Sequence, residues 1–465
     1  MRQKLGAHLK AARLVSERPS PTKRQPFPCH YTHLIKREYS APQYIPVEDV
    51  ETIDRYKTGG YHPIHIGDRL GPENRFEIVN KLGHGGYSTV WLARDKAEGR
   101  YVALKVAVAV SESSHTSRET SILRELEQSL AGDDEPPSAV GVPRVRAVFS
   151  HAGPNGVHAC LATDPCMCSV IESKEATRKV LPFDPAVSRR ITARLIRTVA
   201  FLHSRGVAHG DIHPRNVLLK LPDLSSMTVN ELYLKYGEPA QEDILPWGGA
   251  PFTPSAHLPQ YVVVPAWFGK PCEDATLEDA DVTLADFGEA WKPADTRRYT
   301  RRYTLNTPAL YRPPEAMFAQ AQQIPISLAA DIWTLGCCIF AVFGDSVLFK
   351  GLWADENDVF AENISALGKP PQVWWDLWRK RSKFFDERGE WLPTSERTVD
   401  EMYHSLEDRA ADSFKRDQPS GLGDEEMADL LSMLRGMLRW RPEERVSADD
   451  LVKGAWMNKW GDKTD

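Results

Sequence analysis

Cysteine is scarce in this sequence: seven occur among 465 residues, and their number is odd. Such a set argues against a disulfide-stapled scaffold and favours reduced thiols in a reducing compartment. Cys160, Cys166 and Cys168 lie close together, but no second cysteine pair follows at the spacing of a structural zinc site. Zinc binding is therefore disfavoured, and ordinary thiols are the simpler interpretation.

The sequence also lacks long hydrophobic runs and an excess of positive charge. Its longest apolar stretch, residues 332–343, is interrupted by Thr334 and falls short of the roughly 20 residues that cross a bilayer. The formal net charge is −6, so the bulk basicity typical of nucleic-acid-binding proteins is missing. We expect no transmembrane segment, no direct nucleic-acid partner and a monomer.

The first 45 residues differ in composition from the rest, because lysine and arginine far outnumber glutamate there. This composition favours a disordered basic tail. Residues 4–15 are also compatible with a basic amphipathic helix, as in a mitochondrial presequence, and that alternative stays open. The expected location is the cytoplasm, the nucleus or both, with mitochondrial targeting as the minority interpretation.

An extension, residues 46–75, precedes a longer folded region at about 76–460. Alternating apolar residues predict strands at 76–82, 89–93, 101–106, 142–149 and 157–162, with a helix at 117–130 between them. Helical spacing then dominates at 185–204, 329–344, 359–367 and 425–438. This order predicts an α+β fold with a small antiparallel-sheet lobe at about 76–164, a larger mainly helical lobe at about 165–460, and a cleft between them.

A glycine-rich turn separates the first two predicted strands. Glycines allow the backbone to approach phosphate oxygens closely, so that amide hydrogens can bond to them. Because a strand and not a helix follows the turn, a dinucleotide-binding fold is disfavoured. The candidate nucleotide-binding residues of this turn are Leu82, Gly83, His84, Gly85, Gly86, Tyr87, Ser88, Thr89 and Val90.

Five further residues strengthen the phosphate interpretation. Lys105 lies on the next strand, and Glu119 in the first helix can hold it towards phosphate groups. Asp211 and Asn216 stand between a helix and a hydrophobic strand, at positions suited to base and metal roles. Asp286 adds a second oxygen ligand for Mg²⁺, a hard cation that prefers carboxylate and amide oxygens.

These motifs, in this order, resemble the eukaryotic protein-kinase set. The resemblance implies ATP and Mg²⁺ as cofactors, Asp211 as the catalytic base, Lys105 on the phosphates, and Asn216 with Asp286 as metal ligands. It places the adenine at a hinge near Thr163, Asp164 and Pro165, with Asp164 as a nucleotide-binding residue. It further implies a buried ion pair between Glu315, after a Pro-Pro sequence, and Arg445 of a late arginine motif.

Within the kinases, the sequence most resembles the SR-protein kinase family, which phosphorylates serines in Arg-Ser-rich splicing factors. The likeness rests on residues 56–68 (YKTGGYHPIHIGD), on the glycine-rich turn that continues YSTVWL, and on the metal motif that continues GEAW. An insert at about 221–281 lies where the family keeps its spacer. The run PWGGAP at 246–251 predicts a loop there, and not a folded module.

Three features depart from the kinase pattern. His213 replaces the usual catalytic-loop lysine, and Arg215 is the candidate for supplying the missing charge. Thr307 is displaced by one position, and the basic segment 297–303 would repel an arginine-rich peptide unless acidic residues compensate. Candidate acids are Asp355, Glu356, Asp358 and Glu362, although a solvated helix face explains them equally well.

We therefore predict a serine/threonine protein kinase, with Arg-Ser-rich splicing factors as its candidate protein substrates. A nucleotide-binding pseudokinase that acts as a scaffold is the alternative.

Overall fold

The computed structural model describes residues 42–109, 115–130, 140–177, 181–294, 302–350, 355–393, 404–414 and 422–462. All of these belong to one compact unit, residues 40–465. The predicted basic tail falls almost entirely outside the described residues, so its two interpretations stay predictions.

The small lobe is built on a six-stranded antiparallel sheet with strand order β1-β2-β3-β4-β6-β5. Each predicted strand is present, and only the two-residue β1, too short to show a pattern, was not anticipated. One face of the sheet buries Phe76, Ile78, Trp91, Val102 and Leu104. The strands of the small lobe are β1 Arg69–Leu70, β2 Phe76–Gly85, β3 Ser88–Asp95, β4 Arg100–Ala107, β5 Val145–Gly153 and β6 Gly156–Thr163.

Helix α1 crosses the other face of this sheet, and the rest of the chain forms the larger, mainly helical lobe. The predicted α+β, two-lobed architecture is confirmed. The remaining strands are β7 Cys166–Ser169, β8 Val217–Lys220, β9 Gln241–Asp243, β10 Tyr261–Val263 and β11 Thr283–Leu284. The helices are α1 His115–Ser129, α2 Val170–Glu175, α3 Pro185–Ser204, α4 Val229–Tyr236, α5 Ala319–Gln322, α6 Ala329–Phe343, α7 Glu356–Leu367, α8 Gln372–Leu377, α9 Leu406–Ser413, α10 Asp424–Met437, α11 Ala448–Val452 and α12 Ala455–Trp460.

Helix α6 lies at the centre of the large lobe. All of its residues after Ala329 are buried, which explains why its sequence is apolar on every side. None of the helices among the described residues combines the length and the apolar character needed to cross a bilayer. The carboxyl end of α6 is held by Lys174 of α2, whose buried ammonium donates to the carbonyl groups of Ala341, Val342 (3.0 Å) and Gly344 (2.6 Å). A cation at this end complements both the orphan carbonyls and the helix dipole.

The ion pair expected between Glu315 and Arg445 is confirmed. Arg445 donates from Nη1 to Glu315 Oε1 (2.8 Å) and from Nη2 to Oε2 (2.6 Å). The guanidinium is fully buried and also donates to the carbonyl oxygens of Ala329, Arg439 and Trp440. Its remaining protons are thus satisfied, which a buried charge requires.

The extension, residues 46–75, packs against the small lobe. Ile53, Tyr56 and Tyr61 form a buried cluster with Val108 of the small lobe and with Ile244 of the insert. Glu51 accepts hydrogen bonds from Tyr56 and from Lys81 of β2, and all three side chains are buried. Burial and the Glu51 carboxylate raise the pKa of Tyr56 well above its ordinary value, so the phenol stays a donor.

The insert is a folded part of the molecule, and the prediction that it is a loop is wrong. It contains α4, whose Thr228 and Glu231 form a capping box, and an antiparallel pair of strands, β9 and β10. Leu232 and Phe268 belong to the main core. The two ends of the insert are brought together by strand pairing, since β8 pairs with β11. The glycines in the segment PWGGAP misled the prediction, because they mark an exposed tip, whereas Leu232, Ile244 and Phe268 elsewhere in the insert are buried.

Three histidines meet in the small lobe beside the extension. The ring of His62 lies 4.7 Å from that of His151 and 4.8 Å from that of His158, between centroids. Burial, followed by the charges that the two neighbouring imidazoles would carry, lowers the pKa of His62 to about 3. Burial also lowers the pKa values of His151 and His158. The folded protein therefore holds these rings neutral.

We expect the free energy of unfolding to decrease as the pH falls below about 6.5. A histidine whose pKa is lowered by folding is neutral in both states above its unfolded pKa, but below it only the unfolded state takes up the proton. The stability contributed by His62 is thus present above pH 6.5 and is lost as the pH falls towards 3. Denaturant unfolding of wild type and His62→Gln at pH 7.5 and 5.5 should show a smaller loss in the variant, by about 1 kcal/mol. The exposed His404→Gln serves as the control, and equal losses in all three proteins would contradict this account.

Candidate active site

The glycine-rich turn joins β2 to β3 as a tight hairpin with Gly86 and Tyr87 at its tip. Gly85 pairs with Ser88 across the hairpin, and His84 pairs with Thr89. The side chains of Ser88 and Thr89 are buried, and the Thr89 hydroxyl accepts a bond from Trp91 Nε1 (2.9 Å). Ser88 and Thr89 can therefore meet a nucleotide only through their backbone, whereas the side chains of Leu82, His84, Tyr87 and Val90 are at least partly exposed.

Lys105 joins the two lobes at the cleft. Its ammonium donates to Glu119 Oε2 of α1 (2.8 Å) and to Asp286 Oδ1 (3.0 Å). Burial alone would lower the pKa of Lys105, but the Asp286 and Glu119 carboxylates outweigh it and hold the pKa above its ordinary value. Lys105 in turn lowers the pKa of Asp286 to about 2, against the opposing effect of burial. Both groups are charged at neutral pH, as a phosphate-binding site requires.

The catalytic loop places Asp211 next to Asn216. The Asn216 amide donates from Nδ2 to the backbone oxygen of Asp211 (2.9 Å) and to its Oδ2 (3.3 Å). The amide oxygen of Asn216 is thereby turned away from Asp211. The other carboxylate oxygen, Oδ1 of Asp211, is buried and has no hydrogen-bond partner in the described part of the chain. An unpaired buried carboxylate oxygen is costly unless a ligand supplies a donor.

His213, and not Arg215, lies beside the Asp211 carboxylate. Nε2 of His213 is 3.5 Å from Asp211 Oδ2, and the imidazole packs against the ring of Tyr311. Arg215 instead pairs with Glu175 of α2, with 3.5 Å between Nη2 and Oε1, and half of its side chain is exposed. The assignment of a catalytic charge to Arg215 is therefore not supported by its position, since its guanidinium is already engaged by a carboxylate.

Helix α6 fixes the catalytic loop through Asp331, which sequence analysis did not single out. Its carboxylate accepts from the backbone N–H groups of His209 (2.7 Å) and Gly210 (2.9 Å). His203 of α3 also bonds to it, at 3.2 Å. Despite burial, these donors and His203 keep the pKa of Asp331 below its ordinary value. Sequence analysis predicted only a helix at 329–344, but an aspartate in an apolar helix is itself a signal of a buried polar role.

The segment from Glu289 to Thr307, as far as it is described, is held by a carboxylate and by a backbone carbonyl group. Glu289 accepts from Arg302 (2.7 Å) and from Asn306 (2.9 Å). The Thr307 hydroxyl donates to the Gly210 carbonyl oxygen (2.9 Å), which ties the segment to the catalytic loop. Residues 295–301, which contain most of the basic segment, lie outside the described residues.

The hinge follows β6, where Thr163 pairs with Ala103 of β4. Asp164 does not point a free carboxylate into the cleft, because Arg146 holds both of its oxygens, at 2.6 Å and 3.1 Å. Any contact of Asp164 with a nucleotide would therefore be made by its backbone. The sequence does not reveal that Asp164 pairs with Arg146, because Arg146 lies on a different strand, β5.

Comparisons with known proteins agree with this geometry. Residues 76–226 and 275–457 match the family described as protein kinase domain, and the unmatched interval falls inside the insert. A serine/threonine protein kinase of Aspergillus fumigatus is 27% identical over 88% of this chain and 90% of its own length. The serine/threonine-protein kinase SRPK of Physarum polycephalum is 28% identical over 88% of this chain and 91% of its own.

Other similarities are partial or concern the fold alone. Protein kinase dsk1 of Schizosaccharomyces pombe is 35% identical over 36% of this chain and 30% of its own length. A crystal structure of a kinase domain superposes with a TM-score of 0.57, at 17% identity, over 85% of this chain and 98% of the other. Because the protein kinase model covers most of the chain, and the residues it implies meet in one cleft, the chain belongs to the protein kinase family.

Proposed function

We propose that this chain, a serine/threonine protein kinase, transfers the γ-phosphoryl group of ATP to hydroxyl groups flanked by arginine. The proposal that Asp211 is the catalytic base rests on its buried Oδ1, which has no hydrogen-bond partner among the described residues. The other oxygen, Oδ2, accepts from Asn216. An acceptor hydroxyl is the donor that would satisfy Oδ1. As the hydroxyl oxygen bonds to the γ-phosphorus and the bond to the bridging oxygen of ADP breaks, Asp211 would accept the proton.

The residues in the cleft suit a nucleotide bound with Mg²⁺, which protein kinases generally use. Asp286 takes φ of 62° and leaves its carboxylate half exposed at the cleft, while Asn216 offers its amide oxygen. Mg²⁺ typically takes one or two carboxylates and completes its shell with water and phosphate oxygens. The metal would neutralise charge on the phosphates, and Lys105 would hold them.

The preference for arginine is supported by the relative named SRPK and by the acidic start of α7. Burial, with Asp355 and Glu362 adding to it, raises the pKa of Asp358, so an arginine nearby would be favourable. The other acids are already paired: Asp355 with Lys380 (3.9 Å), Glu356 with Arg312 (3.3 Å), and Glu362 with Arg409 (2.8 Å). We therefore expect Asp358 to be the acid that binds an arginine of the substrate. The charge of Arg302 is compensated by Glu289, which lessens repulsion of a basic peptide.

The test measures transfer of radiolabelled phosphate to a peptide of Arg-Ser repeats and to the same peptide with glutamine for arginine. We expect kcat/KM at least about tenfold higher for the arginine peptide, equivalent to about 1.4 kcal/mol. Asp358→Asn should reduce this ratio, and Asp211→Asn controls for contaminating kinases. Equal rates with both peptides would refute the arginine preference. ATP binding without transfer to either peptide would favour the pseudokinase alternative.

A further inference from the structure

The extension contacts the tip of the glycine-rich hairpin through two side chains, Arg55 and Tyr61, which we call the loop brace. The Tyr61 hydroxyl donates to the carbonyl oxygen of Gly85 (2.8 Å). The Arg55 guanidinium donates to the carbonyl oxygen of Gly86 and to the Tyr61 hydroxyl (3.0 Å), and it lies 4.7 Å from the centre of the Tyr61 ring. Tyr61 belongs to the motif at 56–68, which the catalytic geometry leaves without a role.

The brace acts on consecutive peptide groups. The backbone N–H of Val108 donates to the carbonyl oxygen of Tyr87 (2.9 Å), so three successive carbonyl groups at the tip, those of Gly85, Gly86 and Tyr87, are held. In a trans peptide the C=O and the following N–H point in opposite directions, and the described residues contain no cis peptide bond. Fixing the carbonyls of Gly85 and Gly86 therefore directs the N–H groups of Gly86 and Tyr87 away from the extension.

The brace is itself anchored in the small lobe. The N–H of Gly59 donates to the Asn155 carbonyl (2.8 Å), and the Asn155 side chain donates to the Tyr61 carbonyl (2.6 Å). At Gly60 an added Cβ would lie 1.8 Å from the Arg55 carbonyl oxygen, so this turn requires glycine. Nε2 of His84, within the hairpin, is 3.2 Å from the carbonyl oxygen of Asp49 in the extension. The backbone that carries Arg55 and Tyr61 is thus tied to the small lobe by hydrogen bonds.

We propose that Arg55 and Tyr61 are positioning residues that orient the N–H groups of Gly86 and Tyr87 towards the phosphates of the bound nucleotide. Because glycine-rich backbone is otherwise free to rotate, preorganised donors bind an anion at a smaller entropic cost. The inference rests on the proposed function, since it concerns the same ATP site. It predicts that the brace contributes to the binding of phosphate groups but not to that of the nucleoside.

The chain offers a closely matched control pair, Arg94 and Tyr101, on strands β3 and β4 of the small lobe. Arg94 donates to the carbonyl oxygen of Ser225 (3.2 Å), Tyr101 donates to that of Met227 (3.1 Å), and Arg94 lies 4.6 Å from the centre of the Tyr101 ring. This pair has the same chemistry as the brace, but its carbonyl partners lie in the insert.

The experiment compares Arg55→Ala/Tyr61→Phe with Arg94→Ala/Tyr101→Phe. Dissociation constants for ADP with Mg²⁺ and for adenosine are measured by calorimetry, together with kcat and the KM for ATP. In the brace variant we expect the ADP dissociation constant and the KM to rise about tenfold, with adenosine binding within about twofold of wild type. The control pair should leave both ligands within about twofold. Arg55→Lys, which keeps a donor, should restore part of the affinity.

Two results would overturn the proposal. One is an equal loss of ADP and adenosine binding in the brace variant, which indicates general damage to the lobe. The other is an unchanged ADP dissociation constant. If the double variant does not fold, Tyr61→Phe alone decides, with an expected rise of about threefold for ADP and none for adenosine. Failure of the wild type to bind ADP while it folds normally would instead refute the proposed function, and the brace with it.

Discussion

Asp286→Asn should lower the rate of phosphoryl transfer by about 10²-fold or more, and Asp211→Asn should do the same for a different reason. Asp286 carries a negative charge that Lys105 stabilises, and the amide would give the lysine and a metal ion a neutral partner. Nucleotide affinity in the presence of Mg²⁺ should therefore fall with Asp286→Asn. It should change little with Asp211→Asn, because Asp211 is placed to meet the acceptor hydroxyl and not the nucleotide.

Turnover and nucleotide binding, each with and without Mg²⁺, separate the two roles. Asp281→Asn is a suitable control, because that carboxylate lies five residues before Asp286 but pairs with Arg190 (2.8 Å). Turnover at the wild-type rate in either active-site variant would show that the corresponding role is wrongly assigned. Loss of Mg²⁺-dependent binding in Asp211→Asn alone would exchange the two assignments.

Removal of residues 225–277, most of the insert, should destabilise the protein by an amount comparable to its whole stability. Leu232, Val262, Phe268 and Cys272 are buried, and each large apolar side chain contributes about 1.5–3 kcal/mol on burial. The summed loss is on the order of 5–10 kcal/mol, against a typical free energy of unfolding of about 5–15 kcal/mol. The deletion also exposes the apolar surfaces that these residues cover. We expect little soluble protein, and a strongly lowered thermal midpoint in what remains.

A smaller change tests the same point in protein that stays soluble. Leu232→Ala should cost about 2–5 kcal/mol in denaturant unfolding. Replacing the exposed residues 253–256 by a glycine-serine segment of equal length should cost at most about 1 kcal/mol, since this stretch lies on the surface. If the deletion variant keeps the wild-type thermal midpoint, the insert is a surface loop and this prediction is wrong.

The parts of the site that follow from local sequence were predictable. The hairpin, the pair of Lys105 with Glu119, and the adjacency of Asp211 and Asn216 each depend on residues whose spacing is set by one or two elements. The contacts that were not predicted join distant residues. Tyr233 of the insert donates to the Val79 carbonyl of β2 (2.8 Å), and no periodicity in either segment reveals such a pairing.

The positions of His213 and Arg215 relative to Asp211 show a second limit. Both residues carry basic side chains in the same loop, so their order in the sequence does not tell which one faces Asp211. The direction of each side chain is set by the turn around Asn216, whose N–H bonds to the His213 carbonyl (2.9 Å). The insert was misjudged for a related reason, since a few glycines in an exposed tip outweighed the capping box of α4 and the buried aliphatic residues around it.

Helix α6 is held at both ends by hydrogen bonds that involve a charged side chain. At its amino end Asp331 holds the catalytic loop, and at its carboxyl end the Lys174 ammonium holds the last carbonyl groups. At about 1.5 Å per residue, these points lie some 15–20 Å apart along the axis. A helix pinned in this way can neither slide nor rotate without breaking charged hydrogen bonds at one end. The axial register of α6, and with it the height of Asp211 in the cleft, is therefore set partly by a lysine that is remote from the reaction.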